Sequence, residues 1–316
     1  MTPHSHGRHT IHSRSCHCGW DNSLEPVLRT EPGKTVLFEC RDAGDGQITG
    51  DSTDGDILSL DPARANPVTG PVFVEGAEPG DTLRVTIGDF HPSGFGWTAI
   101  IPEFGLLADE FAEPRLHLWN YESDLSRPGA FSSHGRVPLL PFAGTIGVAP
   151  KEAGRHSVIP PRHVGGNMDI RELGKGTVLY LPVEVDGALF SIGDTHAAQG
   201  DGEVCGTAIE SAMDVEITLD LIKGGAPEAP RFTTSGPDPR DMGRDGYEVT
   251  TGIGPDLMEA ARDSVRRMID LLAKEHGMAP DDAYMLASVC ADLKISEVVD
   301  APNWVVSFHF PRRVLA

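Results

Sequence analysis

The densest gathering of chemically competent side chains is GDTHAAQGDGEVCGTAIE, residues 193–210. Asp194 and His196 stand at i and i+2 directly after the apolar run 188–192, so in a continuing strand both project from one face. Glu203 follows a Gly200-Asp201-Gly202 turn that can return the chain to the same place. A carboxylate, an imidazole and a second carboxylate form a donor set for a divalent metal, zinc above others, with one position open for water. Glu203 can serve there as a third ligand or as a general base. The competing account of the same residues is plain folding, with Asp194 and Asp201 capping turns while His196 packs.

Three other clusters could contribute. In PRHVGGNMD, residues 161–169, paired glycines let backbone approach a ligand, and Asn167 and Asp169 offer an amide and a carboxylate from one tight loop. Gly-Gly-Asn is equally good turn chemistry. In DGQITGDSTDGD, residues 45–56, Asp51, Asp54 and Asp56 are spaced like oxygen ligands, but the full calcium-loop pattern is missing. This loop either edges the site or only makes turns. The N-terminus carries His4, His6, His9, His12 and His17 with Cys16 and Cys18, at a spacing that does not suit a zinc knuckle. Residues 1–16 are expected to be a mobile tail binding metal only adventitiously, and His17, beside Trp20 and Asp21, stands where the ordered chain is expected to begin. Cys205 is a candidate nucleophile, but within VCGTAIE it reads more readily as a small buried hydrophobe. A Ser nucleophile finds no Gly-x-Ser-x-Gly elbow.

The elements that must position these groups are mostly strands. VLRTEPGKTVLFECRD (27–42) and VFVEGAEPGDTLRVTIGDF (72–90) each read as a strand, a Glu-Pro-Gly turn and an alternating strand. Further strands are expected at 177–185, 188–194 and 214–222, with Asp186-Gly187 as a hairpin signal. Residues 91–176, rich in Gly, Pro and aromatics without clear periodicity, are expected to be long loops. Helix comes late. Leu257, Ala261, Val265, Met268 and Leu272 mark one buried helical face from Pro255 to His276, stopped by Gly277. A second helix is expected from Pro280 to about Leu293, and NWVVSFHFP closes the chain as a strand. Many strands, then two helices, then a strand describe an α+β, mainly β, fold.

Composition narrows the function. In 316 residues, 26 Lys and Arg face 47 Asp and Glu, a formal charge of −21, which disfavours a phosphate-binding surface and hence nucleic acid as partner. No apolar run approaches the ~20 residues of a membrane span, and the polar N-terminus lacks a signal core. The expectation is a cytoplasmic protein with no membrane partner, whose five cysteines are reduced.

Long blocks of the chain carry a resemblance: WDNSLEPVL (20–28), NPVTGPVFVEGAEPGDTL (66–83), GWTAIIPEFGLL (96–107), GTIGVAP (144–150), GGNMDI (165–170), TVLYLPVEVDGALFSIGDTHAAQGDGEVCGTAIE (177–210) and LKISEVVDAPNWVVS (293–307). In register from about residue 17 to 310 they resemble the acetamidase/formamidase family. The resemblance implies hydrolysis of the C–N bond of small linear amides such as formamide or acetamide. It implies a sandwich-rich β fold in a single domain over 17–316, or in two closely packed lobes, with a metal at the site and a homodimer or higher oligomer. Asp194, His196 and Glu203 fall in the family's Gly-Asp-x-His-Ala…Gly-Asp-Gly-Glu motif, as metal and water-handling centre. Asn167 and Asp169 fall in its Gly-Gly-Asn-Met-Asp motif, where Asn167 or the N–H groups of Gly165 and Gly166 would bind an oxyanion. Roles among Glu203, Asp201 and Asp169 stay interchangeable at this stage, and His17, His163, Asp51 and Cys205 are secondary candidates. The many carboxylates also admit Ca²⁺ at a structural position. Two other functions compete: hydrolysis of a larger or cyclic amide such as a lactam, and metal or small-molecule binding without catalysis.

Overall fold

The computed structural model describes residues 9–234, 236, 242–298 and 301–315. Two six-stranded sheets dominate. The first runs His9–Ile11, Lys34–Cys40, Met213–Ile222, Thr82–Pro92, Val178–Pro182, Arg231–Thr233. The second runs Gly165–Asn167, Phe142–Gly147, Phe190–His196, Val68–Val74, Cys16–His17, and Leu28–Thr30 also pairs with Val68–Val74. Both sheets contribute their apolar faces to one cluster, in which Val36, Phe38, Val85 and Ile217 meet Val72, Ile146, Phe190 and Ile192. The Phe38 and Phe190 rings meet edge to face across it, centroids 5.6 Å apart. This is the sandwich expected from alternating short strands.

The turns do something other than expected. Asp186-Gly187 does not close a hairpin, because Val178–Pro182 lies in the first sheet and Phe190–His196 in the second. Both Glu-Pro-Gly segments behave alike, leaving the second sheet at Leu28–Thr30 or Val68–Val74 and entering the first at Lys34–Cys40 or Thr82–Pro92. All three are corners between layers. The first-sheet strands instead pair with partners distant in sequence, such as Thr82–Pro92 with Met213–Ile222.

Residues 91–176 are not long loops. They contain Phe95–Ile100 paired with Arg115–Asn120, and Phe142–Gly147 at the heart of the second sheet. The N-terminal boundary also moves. His9–Ile11 pairs in parallel with Lys34–Cys40 and His12 Nδ1 lies 2.9 Å from Glu39, so residues 9–16 belong to the packed chain.

The helices fall close to their expected places. α1, Leu257–His276, is capped by the Asp256 side chain and ends at Gly277 with φ +63, a left-handed turn that glycine adopts freely. α2, Pro280–Cys290, stops short of Leu293 because Asp292–Glu297 pairs with Trp304–Pro311. With Tyr247–Gly254 these form a three-stranded sheet. Val265, Met268 and Leu272 of α1 join Leu286 and Val289 of α2 and Phe308 in a second apolar cluster. Among the described residues no helix is long and apolar enough to cross a membrane.

Candidate active site

The two layers bring the chemistry to the end of Phe190–His196. This strand is buried throughout, held by Phe142–Gly147 on one side and Val68–Val74 on the other. Phe142 pairs with His196 in register and sets its ring edge-on against the imidazole, centroids 5.0 Å apart. An isolated bridge from His196 to Glu210 then returns the 193–210 segment onto the same strand end.

His196 is the centre of the cluster. Gln199 fixes its orientation: Gln199 Nε2 donates to the Asp169 carbonyl at 2.8 Å, which turns Oε1 toward His196 Nδ1 at 3.0 Å. Nδ1 therefore carries the proton. The other nitrogen, Nε2, lies 3.2 Å from Asp194 Oδ1 and 3.1 Å from Glu210 Oε2. A neutral ring would aim a lone pair at two carboxylates, so a cation belongs between them, either a proton on Nε2 or a metal ion. Asp194 Oδ2 accepts from Asn66 Nδ2 and Thr145 Oγ1, both at 3.1 Å. Asn167 Oδ1 takes bonds from the same two side chains at 3.1 and 2.6 Å, which leaves Asn167 Nδ2 unpaired among the described residues.

Four carboxylates thus surround one imidazole, and the electrostatics follow from crowding and burial. Burial, then the charge of Asp194, pushes the Asp169 carboxyl up to about 7. Burial and Asp169 carry Glu203 well above the usual range, and burial raises Glu210 despite the opposing pull of His196. Burial disfavours the imidazolium of His196, yet Glu210 and Asp194 outweigh it and raise its pKa well above the ordinary value. Asp169 Oδ1 is buried without a hydrogen-bond donor, and Glu210 Oε2 has one only when His196 Nε2 is protonated, an arrangement that costs free energy unless a cation satisfies it. Two overlapping groups have ligand atoms within 4.8 Å of one another, Asp194, His196, Glu210 and Asp169, His196, Glu203. The all-oxygen-and-imidazole donor set suits a hard or borderline divalent ion. The residues present therefore fit a metal.

Backbone geometry marks the same spot. Asp169, Asp194 and Glu203 have φ of +49, +52 and +43, left-handed values that cost a non-glycine residue about 1 kcal/mol or more. Gly144 makes room for two of them, since a Cβ there would collide with Asp169 Oδ1 and sit 2.9 Å from Asp194 Oδ2.

Above this floor opens a cavity of about 420 Å³, to which Asn66, Asn167, Asp169, Asp194, His196, Glu203 and Glu210 contribute. The structure brings Asp194, His196, Glu203, Asn167 and Asp169 to one cavity, but Asp194 and Glu203 fall in two separate close groups that share His196. It adds Glu210, Gln199, Asn66 and Thr145, which sequence reading passed over. Glu210 closes the motif that was read, but nothing in its spacing from His196 announces a bridge between them.

Other candidates stand elsewhere. Gly165 N–H is donated to the Arg162 carbonyl at 3.0 Å, and neither Gly165 nor Gly166 lines the cavity, so an oxyanion role for them has no geometric support. Asp201 binds Arg171 at 3.1 Å, in a pair-up that also includes Asp292. His17 is held between the Gly19 carbonyl and Ser191 Oγ at 2.8 and 2.9 Å. His163 is exposed and pairs with Glu184 at 2.9 Å. Asp51 is exposed, while Asp56 caps the short helix Asp54–Ser59, whose Ile57 edges the cavity. Cys205 is fully buried beside the Ala99 and Thr207 carbonyls, and burial pushes its thiol up, the reverse of what a nucleophile needs.

The sequence matches the model of the Acetamidase/Formamidase family over residues 5–158 and 151–316. It is 30% identical to the acetamidase of Mycolicibacterium smegmatis over 271 residues, 66% of this chain and 66% of that one. It is 28% identical over 380 positions to the formamidase of Methylophilus methylotrophus, covering 96% of this chain and 89% of that one. Among solved structures, a gamma lactamase from Delftia acidovorans superposes with a TM-score of 0.86 at 26% identity, over 95% of this chain and 89% of that one.

Proposed function

The chain belongs to the acetamidase/formamidase family, and from that premise we propose that it hydrolyses small amides to a carboxylate and ammonia at the floor of this cavity. The observation that carries the reading is His196 Nε2 within 3.2 Å of two buried carboxylates, beneath a cavity that admits a substrate. Burial supports a division of roles. Asp194, His196 and Glu210 are each no more than 2% exposed and would hold a divalent cation, with zinc the leading candidate. Glu203 and Asp169 keep some surface and are free to move protons. In this reading Glu203 acts as the base and Glu210 takes the third ligand position.

Amide resonance makes the carbonyl a poor electrophile and nitrogen a poor leaving group. When bound, the cation supplies a Lewis acid that draws electron density from oxygen. Asn167 Nδ2 points its unpaired N–H at the developing oxyanion, fixed by the bonds that Oδ1 receives from Thr145 and Asn66. Glu203 takes a proton from the attacking water as oxygen bonds to the carbonyl carbon, then delivers it to nitrogen as the C–N bond breaks. Asp169, with a carboxylate oxygen within 4.8 Å of Glu203, shares that proton. The superposition on a gamma lactamase favours ring opening of a lactam as a second reading, through the same steps.

The test is turnover by protein of known metal content. Ammonia release is followed for linear amides, and new primary amine for lactams, which open without losing ammonia. Activity lost on chelation and restored by Zn²⁺ is the expected result, with His196→Ala losing both metal and turnover. Full activity in folded His196→Ala would overturn the site.

A further inference from the structure

The cavity is larger and greasier than formamide requires. At about 420 Å³ it holds on the order of a dozen waters at ~30 Å³ each, and it falls in the ~300–1,000 Å³ range of sites that enclose ligands of many atoms. Formamide has three non-hydrogen atoms. The carboxylates Asp169, Asp194, Glu203 and Glu210 gather around His196, while Gln47 and Asp61 line the cavity beside Leu60. Most of the remaining lining is apolar, with Ile57, Leu60, Trp97, Ile101, Phe104 and Ile159 its largest side chains.

This wall is preformed. Trp97 is 3% exposed and its indole N–H is tied to Asp42 Oδ1 at 3.1 Å. Phe104 lies against Gly206, where a Cβ would meet its ring at 2.6 Å, so glycine there makes the aromatic wall possible. Phe104 and Ile159 remain 47% and 41% exposed, apolar surface that only an occupant with apolar carbon would take from water. Charge sets a second limit. The lining includes Asp61, Asp169, Asp194, Glu203 and Glu210 and, among the described residues, no Lys or Arg, so away from the floor no basic side chain compensates an anionic acyl group.

Resting on the amidase reading, we infer that the preferred substrate is a neutral primary amide with an apolar acyl chain of about four to six carbons, its carboxamide on the carboxylate floor and its chain along the Trp97–Phe104 wall. Formamide and acetamide leave the exposed surface of Phe104 and Ile159 in water.

The metal-loaded enzyme is assayed for ammonia release from formamide, acetamide, butanamide, hexanamide and succinamate, the last matching butanamide in length but ending in a carboxylate. kcat/KM is expected to rise about fourfold with each methylene, about a thousandfold from formamide to hexanamide, and succinamate is expected to fall well below butanamide. Ala65→Phe, which fills the cavity from its lining, is expected to cut the hexanamide-to-formamide ratio about tenfold or more. Calorimetric binding of hexanamide to the inactive His196→Ala protein is expected to be tighter than that of acetamide, a readout independent of turnover. Formamide or acetamide as best substrate, or succinamate as good as butanamide, would overturn this inference and leave the amidase reading intact. No ammonia from any of the five would overturn the amidase reading, and this inference with it.

Discussion

Glu203 shows what the site asks of a single residue. It occupies a left-handed backbone position, φ +43, after a Gly-Asp-Gly turn, where glycine would be unstrained. Its carboxyl is pushed up by burial and by Asp169, so even its charge is unwelcome to the fold. Stability and chemistry therefore oppose each other at one position. Glu203→Gly is expected to stabilise the metal-loaded protein by about 1 kcal/mol while lowering kcat by roughly 10²–10⁴-fold. Thermal melts and ammonia-release kinetics on the same sample check both halves. Equal turnover in the variant would remove Glu203 from the proton path and hand that role to Asp169. The sequence exposed this residue, with Asp194 and His196, because they share a short segment at the end of an apolar strand. Glu210 and Gln199 stayed hidden, because their roles depend on a bridge and a side-chain bond that only the folded chain creates.

At the level of elements, alternation was readable where a strand has one wet face and vanished where it has none. Lys34–Cys40 and Met213–Ile222 alternate in burial and were found. Phe142–Gly147 is buried at every position and Phe95–Ile100 at all but one, so neither carries the period-two signal. Turn chemistry told where the chain bends but not which layer it enters next. Asp81, in the second Glu-Pro-Gly corner, shows what such a bend contributes. It accepts bonds from Glu78 N–H at 2.9 Å, Lys223 Nζ at 2.6 Å and Gly224 N–H at 2.8 Å, tying the corner to the far end of Met213–Ile222. Burial raises its pKa, but these donors and the Lys223 charge prevail and hold it below the usual value. A depressed carboxylate stabilises the fold above its unfolded pKa of ~3.9 and loses that contribution as pH falls through the folded value. Asp81→Asn is expected to cost about 2 kcal/mol at pH 7, with the gap from wild type narrowing below pH ~4. Urea unfolding across that range measures it, and a gap that stays constant on acidification would show that the carboxylate charge is not what holds the corner.

For the whole molecule, the balance of charge and burial turns on the site. A chain of formal charge −21 repels itself, and this one also gathers four carboxylates around one buried imidazole, Asp194 and Glu210 buried and Asp169 and Glu203 half-buried. The sandwich strands converge there, so repulsion in the cluster pushes directly on Phe190–His196 and on its neighbour Phe142–Gly147. A bound cation relieves it, and an ion that binds the folded chain alone adds stability as RT ln(1 + [L]/Kd), about 2.7 kcal/mol at a hundredfold excess over Kd. In a domain this large that corresponds to a Tm higher by roughly 4 °C. Chelation is therefore expected to lower Tm by that amount and add-back to restore it, with the shift abolished in Glu210→Gln, which removes a ligand charge without altering size. Calorimetry on both proteins decides the matter. A chelation shift that persists undiminished in Glu210→Gln would place the stabilising ion away from the Asp194, His196, Glu210 group, and the third ligand would have to be sought elsewhere.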